Sequence, residues 1–184
     1  MSKYIKNLPI FLYPYAYLIL VVLIMLIGKY EDFFESIPNE IGGFIFWGII
    51  FGFNTYCLVR AILNTVLTIK GKIDLKDMAK LNMVTKLIHI PAYIFNFILG
   101  VIGALLGLWG IGFFVIAVFA DLFTIITTGV NAIGLNVRLP KEKVTGVGLA
   151  VLYCILNFVY CADVVVAIIE NIQVKKHRQK FSNI

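Results

Sequence analysis

Residues 89–136 read HIPAYIFNFILGVIGALLGLWGIGFFVIAVFADLFTIITTGVNAIGLN, and Asp121 is the single formally charged side chain among them. A bilayer's hydrocarbon core takes roughly 20 apolar residues in helical form, so this run is long enough to cross twice. The cluster Gly107-Leu108-Trp109-Gly110-Ile111-Gly112 near its middle supplies a turn, and a Trp there suits the lipid–water boundary. A soluble domain has no means of covering such a surface.

Composition extends that reading to the rest of the chain. The 184 residues are 61% hydrophobic and 14% charged, with a mean hydropathy of +0.95. A soluble domain is nearer half apolar and a quarter charged, so lipid is the expected solvent. The net charge of +6 does not imply nucleic acid. The Lys and Arg residues lie between apolar runs, where basic loops act as topology signals and meet anionic headgroups. Cys57, Cys154 and Cys161 sit inside apolar segments with no Cys-x-x-Cys spacing, which supports neither a disulfide framework nor a redox or zinc motif.

The expected fold is all-α, a polytopic transmembrane bundle forming one domain over 1–184, with five spans at about 10–27, 41–60, 89–106, 111–133 and 144–169. The first follows Lys3 and Lys6 and is too long for a signal-peptide core, with no small-x-small cleavage site behind it. Tyr13, Tyr15 and Tyr17 suit an interfacial belt. A loop bearing Glu31, Asp32, Glu35 and Glu40 follows, and Arg60 is expected at the far end of span two, snorkelling to the surface. Lysines 70–86 belong to a polar extension of span three, capped by Asp74 and bent near Pro91. An N-terminus inside collects the first lysines, the five loop lysines, Arg138, Lys141 and Lys143 on the inner side. The basic tail 175–180 then falls outside, against the rule. A four-crossing alternative makes part of 89–136 re-entrant.

Within the spans, small and polar residues keep helical spacing. His89, Tyr93, Asn96, Gly100, Gly103 and Gly107 line one face of span three. Phe114, Ala117, Asp121, Thr124, Thr128 and Asn131 line one face of span four, and Tyr153, Asn157, Tyr160 and Asp163 mark span five. In span two, Gly48, Gly52, Tyr56 and Arg60 recur every fourth residue. These stripes are expected to face one another, with Gly48, Gly52, Gly100, Gly103 and Gly107 as packing positions. Asp121 falls about 15 Å from the end of its span, near mid-bilayer. No Lys or Arg is expected at that level, so its relief is a proton, water, or hydrogen bonds to Asn157 or Thr124. The candidate intramembrane polar site is Asp121, Asn157, Asp163, Asn96, Thr124 and Thr128. Asp121 is there either as interhelical glue or as a proton or cation station, with Asp163 as a second one.

No Walker loop, nucleophile elbow or zinc-protease motif occurs, and the residues predict no catalytic set, no metal ligands and no cofactor. The segment Lys86-Leu87-Ile88-His89-Ile90-Pro91-Ala92-Tyr93, followed by a Gly-rich apolar helix, resembles a signature of small hypothetical multi-span membrane proteins from low-GC Gram-positive bacteria. The Asp-bearing segments around Asp121 and Asp163 are similar to that group too. The resemblance implies a bacterial plasma-membrane location and assigns no activity. The expected role is non-enzymatic: binding lipid, a membrane-protein partner or a second copy, as an accessory or immunity-type factor. The alternative is a small proton- or cation-coupled transporter or channel using Asp121 and Asp163.

Overall fold

The computed structural model describes residues 6–27 and 39–182; Lys3, Glu31, Asp32 and Glu35 lie outside them, while Glu40 of the expected loop is already helical. The described residues form six α-helices: α1 (Leu8–Ile27), α2 (Asn39–Ile69), α3 (Leu75–Leu105), α4 (Ile111–Lys141), α5 (Val147–Leu156) and α6 (Ala162–Ser182). A 3-10 turn over Gly107–Gly110 joins α3 to α4. No strand occurs among the described residues.

Three helical stretches, Gly48–Ile69, Leu75–Leu105 and Gly107–Lys141, are long and apolar enough to cross a membrane. α3 and α4 each hold 31 residues, about 46 Å at 1.5 Å per residue, against a hydrocarbon core of about 30 Å. Each is therefore longer than a single crossing needs. Local chemistry sets their bounds. The Asp74 side chain accepts from the Lys76 backbone N–H at 3.2 Å, capping α3 as expected. Gly107 turns the chain at φ +60°, a left-handed conformation that glycine adopts without a Cβ clash.

α3 and α4 run antiparallel, Asn96 meeting Asp121 and Gly103 meeting Gly110. α3 and α4 lie closest: a Cβ on Gly103 would fall 2.7 Å from the Phe114 nitrogen and 2.8 Å from the Gly110 oxygen. Main chain meets main chain there, as small-residue faces allow. α2 packs on α4 in the same way, where a Cβ on Gly134 would meet the Thr65 backbone at 2.8 Å. An apolar core of Leu75, Met78, Leu135, Leu139, Val166 and Val174 gathers where α3 begins, α4 ends and α6 passes.

Four expectations need correction. Residues 144–169 are not one helix: α5 ends at Leu156, and α6 starts at Ala162 after an irregular stretch in which Cys161 holds φ 64°. α6 then returns beside α5, with Gln173 donating to the Tyr153 hydroxyl at 2.8 Å and Asn157 to Glu170 at 2.9 Å. Its far end meets the loops flanking α3 and α4, Arg178 reaching Asp74 at 2.6 Å and Glu142 at 3.7 Å. The basic tail therefore shares an end with the 70–74 loop and the α4–α5 connector instead of facing it across the bundle. Second, α2 continues to Ile69, so Arg60 lies inside a helix and donates to the Lys6 carbonyl at 3.0 Å. Third, α4 continues past 133 to Lys141. Fourth, Tyr13 is no belt residue: it is buried, stacked on Phe53 and hydrogen-bonded to Asn54.

Candidate functional site

The polar stripe on α3 is longer than residues 89–107. Asn82 and Lys86 continue it at steps of four and three before His89, Tyr93 and Asn96, and all five are buried. From Asn82 to Asn96 this ladder covers about 21 Å of helix.

Lys86 is at the centre. Its side chain is fully buried, and its ammonium lies 2.5 Å from Asn157 Oδ1, 3.3 Å from the Asn157 carbonyl and 3.5 Å from Asp163 Oδ2. These groups come from the irregular stretch between α5 and α6 and from the first turn of α6. Asn157 is fixed by its own bonds: one amide hydrogen goes to the Tyr153 carbonyl at 2.8 Å, the other to Glu170 Oε1 at 2.9 Å. Glu170, also fully buried, takes a further bond from Asn82 Nδ2 at 3.1 Å, and the Asn136 amide of α4 faces the same carboxyl. Four helices and a helix break thus converge on one ammonium and two carboxyls.

A second, smaller cluster lies nearer the α3–α4 turn. Asn96 Nδ2 donates to Asp121 Oδ1 at 2.7 Å, and Asp121 is half-buried. The Tyr160 hydroxyl faces that carboxyl and also donates to the Tyr93 carbonyl at 3.2 Å. Tyr93 and Tyr160 meet edge to face at 5.2 Å. The buried Tyr93 hydroxyl makes no well-formed hydrogen bond and faces Thr128. A third polar contact ties α2 to its neighbours, Asn64 donating to Asn7 at 2.7 Å and to Asn131 at 2.9 Å.

The candidate residues thus divide. Asp121 and Asn96 pair with each other, while Asn157 and Asp163 join Lys86. The expected partners of Asp121, Asn157 and Thr124, are not its hydrogen-bond partners. Thr124 bonds back to the Ala120 carbonyl at 2.7 Å and Thr128 to the Thr124 carbonyl at 3.0 Å, each closing onto its own helix. His89 is fully buried, its Nε2 donating to the Ile10 carbonyl at 2.9 Å. Gly103 is a packing position, and a Cβ at Gly100 would make ordinary contact with Ala117. Gly107 serves the turn, and Gly48 and Gly52 have nothing within 4 Å of where a Cβ would stand. Lys86, Glu170, Asn82 and Asn136 escaped the sequence reading. Lys86 was counted among loop lysines, and Glu170 lies one residue beyond the span drawn for it.

A buried carboxyl or ammonium is costly unless paired and hydrogen-bonded, and the Lys86 network meets most of that requirement within the protein. Chemically it can hold a proton, exchange one with water, or bind a small cation through amide and carboxyl oxygens. No curated protein and no solved structure matches the chain significantly. A family model does match, over residues 3–178, a range that includes every member of the network: the chain belongs to a family of unknown function, DUF6652.

Proposed function

We propose that this chain is a small, non-enzymatic integral protein of a bacterial plasma membrane that acts as a proton- or cation-coupled transporter or channel. In this reading α1 to α4 cross the bilayer, and α5 with the first half of α6 forms a re-entrant hairpin entering from the basic side. The observation that carries it is the tip of that hairpin, where Asn157 and Asp163 hold the buried Lys86. Irregular backbone at membrane depth is tolerated where it is enclosed by protein or lines a wet cavity, and broken helices with ionisable groups are how transporters build such sites. The polar ladder supports the same reading. It lies enclosed between the apolar core at the start of α3 and the Gly103–Gly110 contact at its end, closed at both in this conformation.

Orientation follows from charge. With the tail beside the 70–74 loop, the loop lysines, Arg138, Lys141, Lys143 and the tail share one side, and the positive-inside rule makes that side cytoplasmic. Cysteines placed at Ser36 and Ser182 should then label from opposite sides. Purified protein in liposomes should carry protons or monovalent cations down an imposed gradient, and Lys86→Met or Asp163→Asn should stop the flux. Absence of wild-type flux under pH, sodium and potassium gradients alike would overturn the proposal. A second reading, binding of a membrane-protein partner or a second copy, draws on the open face at Gly48 and Gly52. A stoichiometric partner recovered in mild detergent, together with absent flux, would favour it.

A further inference from the structure

Among the charged members of the network, Lys86 and Asp163 pair and Glu170 is left over. The ammonium's contacts, Asn157 Oδ1, the Asn157 carbonyl and Asp163 Oδ2, leave its three hydrogens no spare direction. The Glu170 carboxyl meets only neutral donors, the amides of Asn157, Asn82 and Asn136. With all three groups ionised the network carries one uncompensated negative charge; with one proton added it is neutral.

The amides are arranged for either state. Asn157 is locked by bonds on both its oxygen and its nitrogen, so it always offers Glu170 an N–H. Asn82 and Asn136 are different: the amide oxygen of each is buried and without a hydrogen-bond partner. Rotating either amide by half a turn exchanges a donor for an acceptor at nearly the same place, at Asn136 in exchange for its 3.2 Å bond to the Ala132 carbonyl. A carboxylate at Glu170 can therefore be met by amide N–H groups, and a carboxylic acid there can give its proton to an amide oxygen. An unsatisfied buried oxygen is costly, and that cost falls when Glu170 is protonated and the amide turns toward it.

We propose that Glu170 is the proton-binding residue of this protein, with Asn82 and Asn136 as rotating amides that accommodate both its charged and its neutral form. The step is simple. A lone pair on Glu170 takes a proton from a hydronium ion: the hydronium O–H bond breaks and leaves water, the carboxyl O–H bond forms, and the acid hydrogen-bonds to the Asn82 or Asn136 oxygen. Groups facing Glu170 are Lys86 from α3 and Cys154 from α5, with Asp163 about two turns earlier on α6; α4 presents the Asn136 amide. This inference rests on the proton-coupled reading, specifies its ion as a proton, and moves the titrating group away from Asp121.

Infrared difference spectra of the full chain in liposomes, recorded on acidification, test it directly. A carboxylic-acid C=O band should appear, vanish in Glu170→Gln and persist in Asp121→Asn. Asn136→Ala or Asn82→Ala should shift that band in frequency without removing it, a change that depends on the native Glu170 and not on the Gln variant's folding. A band that survives Glu170→Gln, or is lost instead in Asp121→Asn, overturns the assignment, as does a band unmoved by both Asn variants. Flux separates the two claims. If the band behaves as stated and liposomes show no proton movement, Glu170 binds its proton and the transport reading fails. If protons move at the wild-type rate in a folded Glu170→Gln protein, transport stands and the assignment falls.

Discussion

The two ends of the α3–α4 pair are held by opposite means. Toward the turn, Gly103 and Gly110 bring main chain against main chain, and the surroundings are aliphatic and aromatic. Trp109 there is 93% exposed and Leu108 86%, surface that a lipid boundary would cover. Toward the basic end the same two helices are held by side chains: Lys86, Asn82, Asn136 and Glu170, with the Asn157 hairpin wedged among them. The first end depends on shape, which any added methylene disturbs. The second depends on charge and hydrogen-bond count, which an isosteric substitution can alter without moving an atom.

Breaking the charged end should have the largest effect. Lys86→Met leaves Asp163 buried without its counter-ion and should cost about 3–5 kcal/mol, seen as a lower melting temperature in lipid nanodiscs. Lys86→Met combined with Asp163→Asn should recover much of that loss; if the double variant is no better than the single, the pair is not coupled. At the glycine end, Gly103→Ala should cost about 1–3 kcal/mol, because the atoms in the way are backbone and cannot swing aside. Gly48→Ala, in open space, should be neutral or gain up to about 1 kcal/mol from helix propensity. Equal responses at the two glycines would contradict the close approach. Smallest is Asp121→Asn. The group is half-buried and paired with an amide, and an Asn there keeps a hydrogen bond to Asn96, so stability should change by less than about 1 kcal/mol. A large loss would mean that Asp121 carries a charge the fold depends on.

Much of the architecture could be read from the chain because local signals carry it. Asp74 announces the start of α3, Gly107 to Gly112 mark the turn, and the 4-3-4-3 spacing from His89 places one helix face against α4. The site was less legible, for two physical reasons. Lysines were read as markers of water, which holds for Lys70, Lys72, Lys76 and Lys80 and fails for Lys86. Its spacing from His89 was the available clue, since three residues put it on the same face. The reversal after Leu156 has no glycine or proline to announce it. Residues 157–161 are Asn-Phe-Val-Tyr-Cys, and Cys161 takes a positive φ that only the surrounding contacts explain. With that reversal unseen, a single long span placed the basic tail at the opposite end from the 70–74 loop, which Arg178 in fact reaches, and stopped one residue short of Glu170.

That Asp163 and Glu170 come from the last helix has a consequence for biosynthesis. α3 and α4 are neighbours in the chain and, in the proposed topology, would enter the bilayer together as a hairpin, carrying Lys86 with them before its counter-charge has left the ribosome. Until α6 docks, that lysine has neither of its carboxyl neighbours, because Asp163 and Glu170 both belong to α6.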